Sequence, residues 1–170
     1  LISDTKGNIH RSLPQDYIYS NWYNPYQNLK STWLKANLHL HSSRFEGKQT
    51  PEELLSLYQQ HHYDVISISD HMLLTNAATI PSDLLVIPSY EHGANITKKH
   101  FGVLDPSENF VMIDWFPFWQ TAKHRRFTTY QLKEKSGFLV FNHPLCPPNA
   151  LDIRDEFLSI DAIEITSHYA

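Results

Sequence analysis

Cysteine occurs once in the 170-residue sequence, at Cys146, which excludes an internal disulfide framework and any cysteine-rich zinc module and leaves the redox compartment open. Glycine is scarce, with 5 residues, and there is neither an internal repeat nor a low-complexity tract. With 41% hydrophobic and 13% aromatic residues, the chain is expected to bury one sizeable core rather than to be disordered. No apolar run is long enough to span a bilayer. Nor does one sign of charge dominate: 14 Lys and Arg face 18 Asp and Glu, a net charge of -4. No global pull toward nucleic acid or anionic membrane is expected, and a nucleic-acid contact would need a local basic patch. The sequence also lacks a methionine start. Beginning at Leu1, it leaves room for an upstream start, tag or signal peptide, so both cytoplasm and export stay open.

What the chain has in quantity is histidine, 11 residues, the commonest metal ligand at neutral pH and a ready general acid or base. Residues 1–33, rich in Tyr, Trp, Asn and Ser, carry neither a helical nor a strand period and read as an aromatic extension packed over a domain at 34–170. From Lys35 the pattern sharpens. A short extended run, Lys35 to His41, precedes Thr50-Pro51-Glu52-Glu53, which supplies an N-cap, a proline at the first helical position and a capping-box glutamate for a helix over Leu54 to His62. Val65 to Ser69 then reads as the next strand, and further strands are expected at Leu84 to Ile87, Phe101 to Leu104, Phe138 to Phe141 and Ala162 to Ile165. Helices are expected near Ala122 to Lys135 and Ile153 to Leu158. Strands interleaved with helices predict an α/β fold of β/α-barrel type. The segment 34–170 is short for a barrel, which usually takes ~250 residues, so it is expected not to close within this chain.

The chemistry gathers where these strands end. In Asn37-Leu38-His39-Leu40-His41, residues two apart on a strand project to one face, so both imidazoles can share one ion. Ser69-Asp70-His71 closes the next strand, with Asp70 expected either to ligate metal or to orient the His71 ring through its second nitrogen. Glu91, just past the third strand, can bridge two cations through its two oxygens. His143, in Asn142-His143-Pro144, ends the fifth. His100 begins its apolar run and would reach the same rim only on an antiparallel hairpin arm. Glu46, in the loop after His41, can close a further coordination sphere. Glu164, inside a strand, needs a partner. His71, Asp70 and His143 are the candidate catalytic residues, with His71 or His143 able to protonate a leaving group where not committed to metal. The runs Lys98-Lys99 and Lys123-His124-Arg125-Arg126 offer a phosphate contact or a solvated helix face, and Trp115-Phe116-Pro117-Phe118-Trp119 a stacking surface or a packing plug.

The motifs stand in a familiar order. Asn24-Pro25-Tyr26, Trp33 to His41, Glu46-Gly47, Pro51-Glu52-Glu53, Tyr63-Asp64-Val65 and Ser69-Asp70-His71, followed by Glu91, His100 and Asn142-His143-Pro144, resemble the PHP (polymerase and histidinol phosphatase) family from about Asn24 onward. That resemblance implies a distorted seven-stranded, TIM-like β/α barrel. It further implies that His39, His41, His71, Glu91, His100 and His143 ligate metal, with two or three Zn, Mn or Fe ions activating water to hydrolyse a small phosphate ester or nucleotide. Two departures accompany it. Phe45-Glu46-Gly47 stands where the family usually has Ser-Asp-Gly, and the closing Asp-x-His motif does not occur before Ala170, so an incomplete barrel is expected, either a fragment of a longer protein, which the length favours, or a domain without the last ligands. An amidohydrolase-type barrel also opens with His-x-His, and a degenerate, non-catalytic PHP module would carry the same motifs; the Asp-His pair on the very next strand favours the PHP type.

Overall fold

The computed structural model describes residues 2–3, 9–10, 33–93, 100–107, 122–144 and 160–165. The chain divides into two units, Leu1–Trp33 and Leu34–Ala170. In the first, strands β1 (Ile2–Ser3) and β2 (Ile9–His10) pair antiparallel, a local structure the sequence pattern does not announce because two-residue strands are too short to display alternation.

The second unit opens with β3 (Ala36–Asn37), helix α1 (Pro51–Gln60) and β4 (Val65–Ile66), then β5 (Leu85–Val86) after a 3₁₀ turn at Ala77–Thr79. The three strands pair in parallel, in the order β3-β4-β5. Helix α1 begins where its cap dictates. Thr50 Oγ1 accepts from Glu53 N at 3.2 Å, while Glu53 Oε2 accepts from Thr50 N at 2.8 Å, so two orphan donors are satisfied reciprocally. Its buried face, Leu54 and Leu55, packs with Ile66, Ile68, Ala77 and Leu84 into one core.

Strands β6 (Ser89–His92), β7 (Phe101–Leu104), β8 (Phe138–Phe141) and β9 (Ala162–Ile163) form a second sheet in that order, antiparallel, antiparallel, then parallel. Helix α2 (Ala122–Lys135) sets Leu132 against Tyr90, Phe101, Val103, Leu139 and Phe141 in the second core. The architecture is therefore mixed α/β, and no closed barrel is seen among the described residues. The expected alternation of strand and helix fails between β5 and β7. Pro88, which has no N–H to donate, separates β5 from a strand of its own at Ser89–His92, and β6 and β7 form an antiparallel pair. Glu91 thus lies inside a strand rather than just past one. The two sheets still meet through isolated bridges, His71 with Glu91 and Thr75 with Ser89.

No helix among the described residues is long and apolar enough to cross a membrane. The expected helix near Ile153 to Leu158, the Trp115 to Trp119 run, the Lys98-Lys99 pair and Cys146 lie outside the described residues, as do the His124 and Arg125 side chains; Lys123 and Arg126 are exposed on α2.

Candidate metal centre

Glu91 lies inside β6, and backbone pairing that continues past the strand ends holds the segments that carry the candidate histidines. Beyond β3, Ser67 N donates to Asn37 O and Ser69 N to Leu40 O, at 2.9 and 2.7 Å, so backbone pairing reaches the rim with its register shifted by one residue. Leu40 is thereby committed to the core, and His39 and His41 flank it on the opposite face. His71 sits on the bridge to Glu91: Glu91 N donates to Asp70 O and Met72 N to Glu91 O, at 3.1 and 2.8 Å. His100 precedes β7, whose antiparallel pairing brings it to the site, the one arrangement in which the sequence allowed it to reach the rim. His143 follows β8 with a φ of 29°, and Met72, after His71, has 53°. Non-glycine residues rarely adopt such backbones; among the described residues the others are His62, after α1, and Asp105, after β7.

All five rings converge on one carboxylate. Glu91 is fully buried; its Oε2 lies 3.3, 3.2 and 3.2 Å from the Nε2 atoms of His39, His41 and His71. Its Oε1 lies 3.3 Å from His100 Nδ1 and 3.1 Å from His143 Nε2, and accepts from Asn142 Nδ2 at 2.8 Å. The rings form a closed circuit around it: centroids are 5.3 Å apart from His39 to His41, 4.9 Å to His71, 4.6 Å to His100, 4.9 Å to His143 and 5.7 Å back to His39. Gly102, opposite Glu91 on β7, makes room for this network; a Cβ there would stand 3.1 Å from Asn142 Oδ1.

Burial and charge divide the imidazoles. Burial opposes protonation of His39, but hydrogen bonds to Glu164 and Glu91 outweigh it and raise its pKa to about 9. Burial drives His71 down to about 4, with Glu91 opposing and His100 and His41 adding to the fall. Glu91 itself, which burial would raise, is held far below the usual carboxylate range by His100, His143, His39 and His41.

The donor set fits divalent ions. Two groups, His39 with Glu91 and His143, and His41 with His71 and Glu91, each keep their ligand atoms within 4.8 Å of one another. Nitrogen and oxygen donors at ~2.0–2.2 Å from a common ion stand roughly 3 to 3.5 Å apart, the range in which these atoms lie from Glu91. The buried Nδ1 atoms of His41 and His71 have no hydrogen-bond partner among the described residues.

The remaining candidates separate. Glu46 is at the exposed mouth, its Oε2 3.8 Å from His71 Nε2, in a loop closed tightly enough that a Cβ on Gly47 would come within 2.1 Å of His41 O. Phe45 lies over the His71 ring, 4.9 Å between centroids. Asp70 neither meets the His71 ring nor joins the two groups. Its oxygens accept from Ser42 N, Ser42 Oγ and Thr75 Oγ1 at 2.6, 2.7 and 2.8 Å, tying the loop after His41 to the segment after His71. His71 and His143, the candidate proton donors, both direct a ring nitrogen at Glu91. Sequence reasoning gave no role to Asn142 or Ser42; the position of Asn142, immediately before a ligand-capable histidine at a strand end, was the available signal.

No family model matches the chain. No curated protein matches it either. Among solved structures, it is similar to a two-domain protein containing a predicted PHP-like metal-dependent phosphoesterase from Bacteroides vulgatus, with 19% identity and a TM-score of 0.47 over 65% of this chain and 35% of that one. The chain thus spans about a third of that structure's length.

Proposed function

We propose that the chain carries the metal site of a phosphoesterase, in which His39, Glu91 and His143 hold one divalent ion, His41, His71 and Glu91 a second, and Glu91 is common to both. The observation that carries this reading is the burial of one carboxylate inside a circuit of five imidazoles. An isolated buried charge is costly, and five rings whose nitrogens crowd one carboxylate form a donor set that a cation would take up as it displaces their protons. The ordered motifs that resemble the PHP family support the same assignment, including its phosphate mono- or diester substrates.

Ions held there would supply Lewis acidity, lowering the pKa of a water and polarising the ester. The chain's own residues do the rest. Asn142 fixes Glu91 through Oε1, so the carboxylate cannot rotate away from the rings. Asp70 fixes the loop that carries Glu46, which stands within reach of an ion on His71. Phe45 narrows the approach to His71.

The test is metal content by inductively coupled plasma mass spectrometry of the purified chain and of a His39→Ala/His41→Ala variant, followed by hydrolysis of p-nitrophenyl phosphate and its bis ester. Two or more ions per chain, reduced in the variant, with ester cleavage, are expected. Less than one ion per chain after reconstitution with Zn and Mn would overturn the reading. Ions without cleavage would leave a non-catalytic metal-binding module.

A further inference from the structure

We infer that Glu164 is a positioning residue that organises one of the two proposed ion sites, the one built on His39 and His143, and not the other; the inference rests on the metal-site reading above. Glu164 follows β9, where its N–H donates to Phe141 O at 2.9 Å and so prolongs the parallel pairing with β8. Its two carboxylate oxygens have separate tasks. Oε1 lies 3.2 Å from His39 Nδ1, and Oε2 accepts the backbone N–H of His143 at 2.6 Å.

Both tasks bear on the same ion site. A carboxylate accepting from Nδ1–H fixes the tautomer in which the lone pair is on Nε2, and His39 Nε2 is the atom that faces Glu91. His143 holds a left-handed backbone, φ 29°, that a side chain bearing a Cβ adopts only when its surroundings enforce it. The short bond from its N–H to Glu164 is such an enforcement. Among the described residues, Glu164 contacts His39 and His143 and neither His41 nor His71, the histidines of the other site. The support is therefore one-sided.

Glutamine at this position keeps the shape but cannot accept from both donors. Its amide nitrogen would either oppose the His143 N–H or donate to His39 Nδ1, and the second choice moves the ring proton to Nε2, the wrong tautomer for a ligand. Glu164→Gln is expected to weaken one ion by about 10- to 100-fold, the usual cost of losing a partner behind a metal ligand, and to leave the other unchanged. Titration of the EDTA-stripped full chain with Zn, read by calorimetry and by metal content after gel filtration, would then resolve one tight and one weakened class. Glu164→Asp, which keeps the charge but draws it back by a methylene, should give a smaller loss in the same class and decides the matter if the glutamine variant does not fold. Asp161→Asn serves as the structural control. Its carboxylate, in the same segment, holds Lys133 Nζ and Leu139 N, so it should lower the melting temperature and leave both ions tight. Unchanged affinities in both Glu164 variants, or equal weakening of both classes, would overturn the inference while leaving the metal site standing. A parent chain that binds no ion would overturn the proposed function and this inference with it.

Discussion

Glu91→Gln is the most direct perturbation of the centre, because a single carboxylate serves both proposed ion sites. In the parent, an ion present at one hundred times its Kd stabilises the folded state by about 2.7 kcal/mol, so two ions contribute about 5 kcal/mol. At roughly 2–4 °C per kcal/mol for a domain of this size, adding Zn or Mn to the stripped chain should raise its melting temperature by roughly 10–20 °C. This is an upper figure, since the unfolded chain's 11 histidines also bind metal. In the variant, Oε1 can still accept from Asn142, but the charge is gone and each site falls to two imidazoles, so the metal-induced rise should shrink to about 3 °C or less. The comparison must be between stripped and loaded samples of the same protein, because removing a buried charge also alters the metal-free stability. Thermal melts by circular dichroism, with metal content measured on the same samples, give the answer. A variant that keeps the full rise would refute the sharing of Glu91 between the two sites.

In the metal-free chain, His39 and His71 work on opposite sides of pH 6.5. With a folded pKa of about 9, His39 contributes stability fully present below about 6.5 and lost as pH rises through 9; His71, near 4 when folded, contributes stability present above about 6.5 and lost as pH falls toward 4. Melting temperatures in EDTA should therefore fall in both directions from about pH 6.5, and a steady rise from 6.5 to 9 would contradict this assignment. Asp70→Ala strands three buried donors at about 1 kcal/mol or more each, so urea denaturation should register a loss of roughly 3 kcal/mol; a loss under about 1 would mean that the loop finds other acceptors. Gly47→Ala forces its Cβ toward His41 O, so the loop must shift at a cost of about 1–3 kcal/mol, and calorimetry should find weaker binding at the His41/His71 site with the His39/His143 site unaffected.

What the sequence reveals about this fold depends on how local the cause is. The start of α1 was legible because Thr50 and Glu53 cap it within four residues, and β7 and β8 because each is a continuous apolar run with turn signals beside it. Strand β6 was not legible as a strand. Ser89, Tyr90, Glu91 and His92 are all buried, yet three of them are polar: Glu91 reaches the imidazole circuit and Ser89 Oγ donates to Ile68 O, so only Tyr90 joins the apolar core. The convergence of the histidines could be read from spacing, since His-x-His and strand-end histidines encode a common face. Asp70 could not, because its partners, Ser42 and Thr75, lie in loops whose paths depend on tertiary packing.

The same distinction bears on what the centre would attract. Neutral imidazoles contribute lone pairs without charge, so a histidine-rich site neutralises its ions less than a carboxylate-rich one does. Two divalent ions would face Glu91 within the site, Glu46 at its mouth and Glu164 behind His39, three negative charges against four positive ones. An excess positive charge would remain in a space where burial strengthens electrostatic attraction. An anionic ester meets that excess and a neutral amide does not. On charge alone, the phosphoesterase reading therefore fits this set of ligands better than hydrolysis of an uncharged C–N bond.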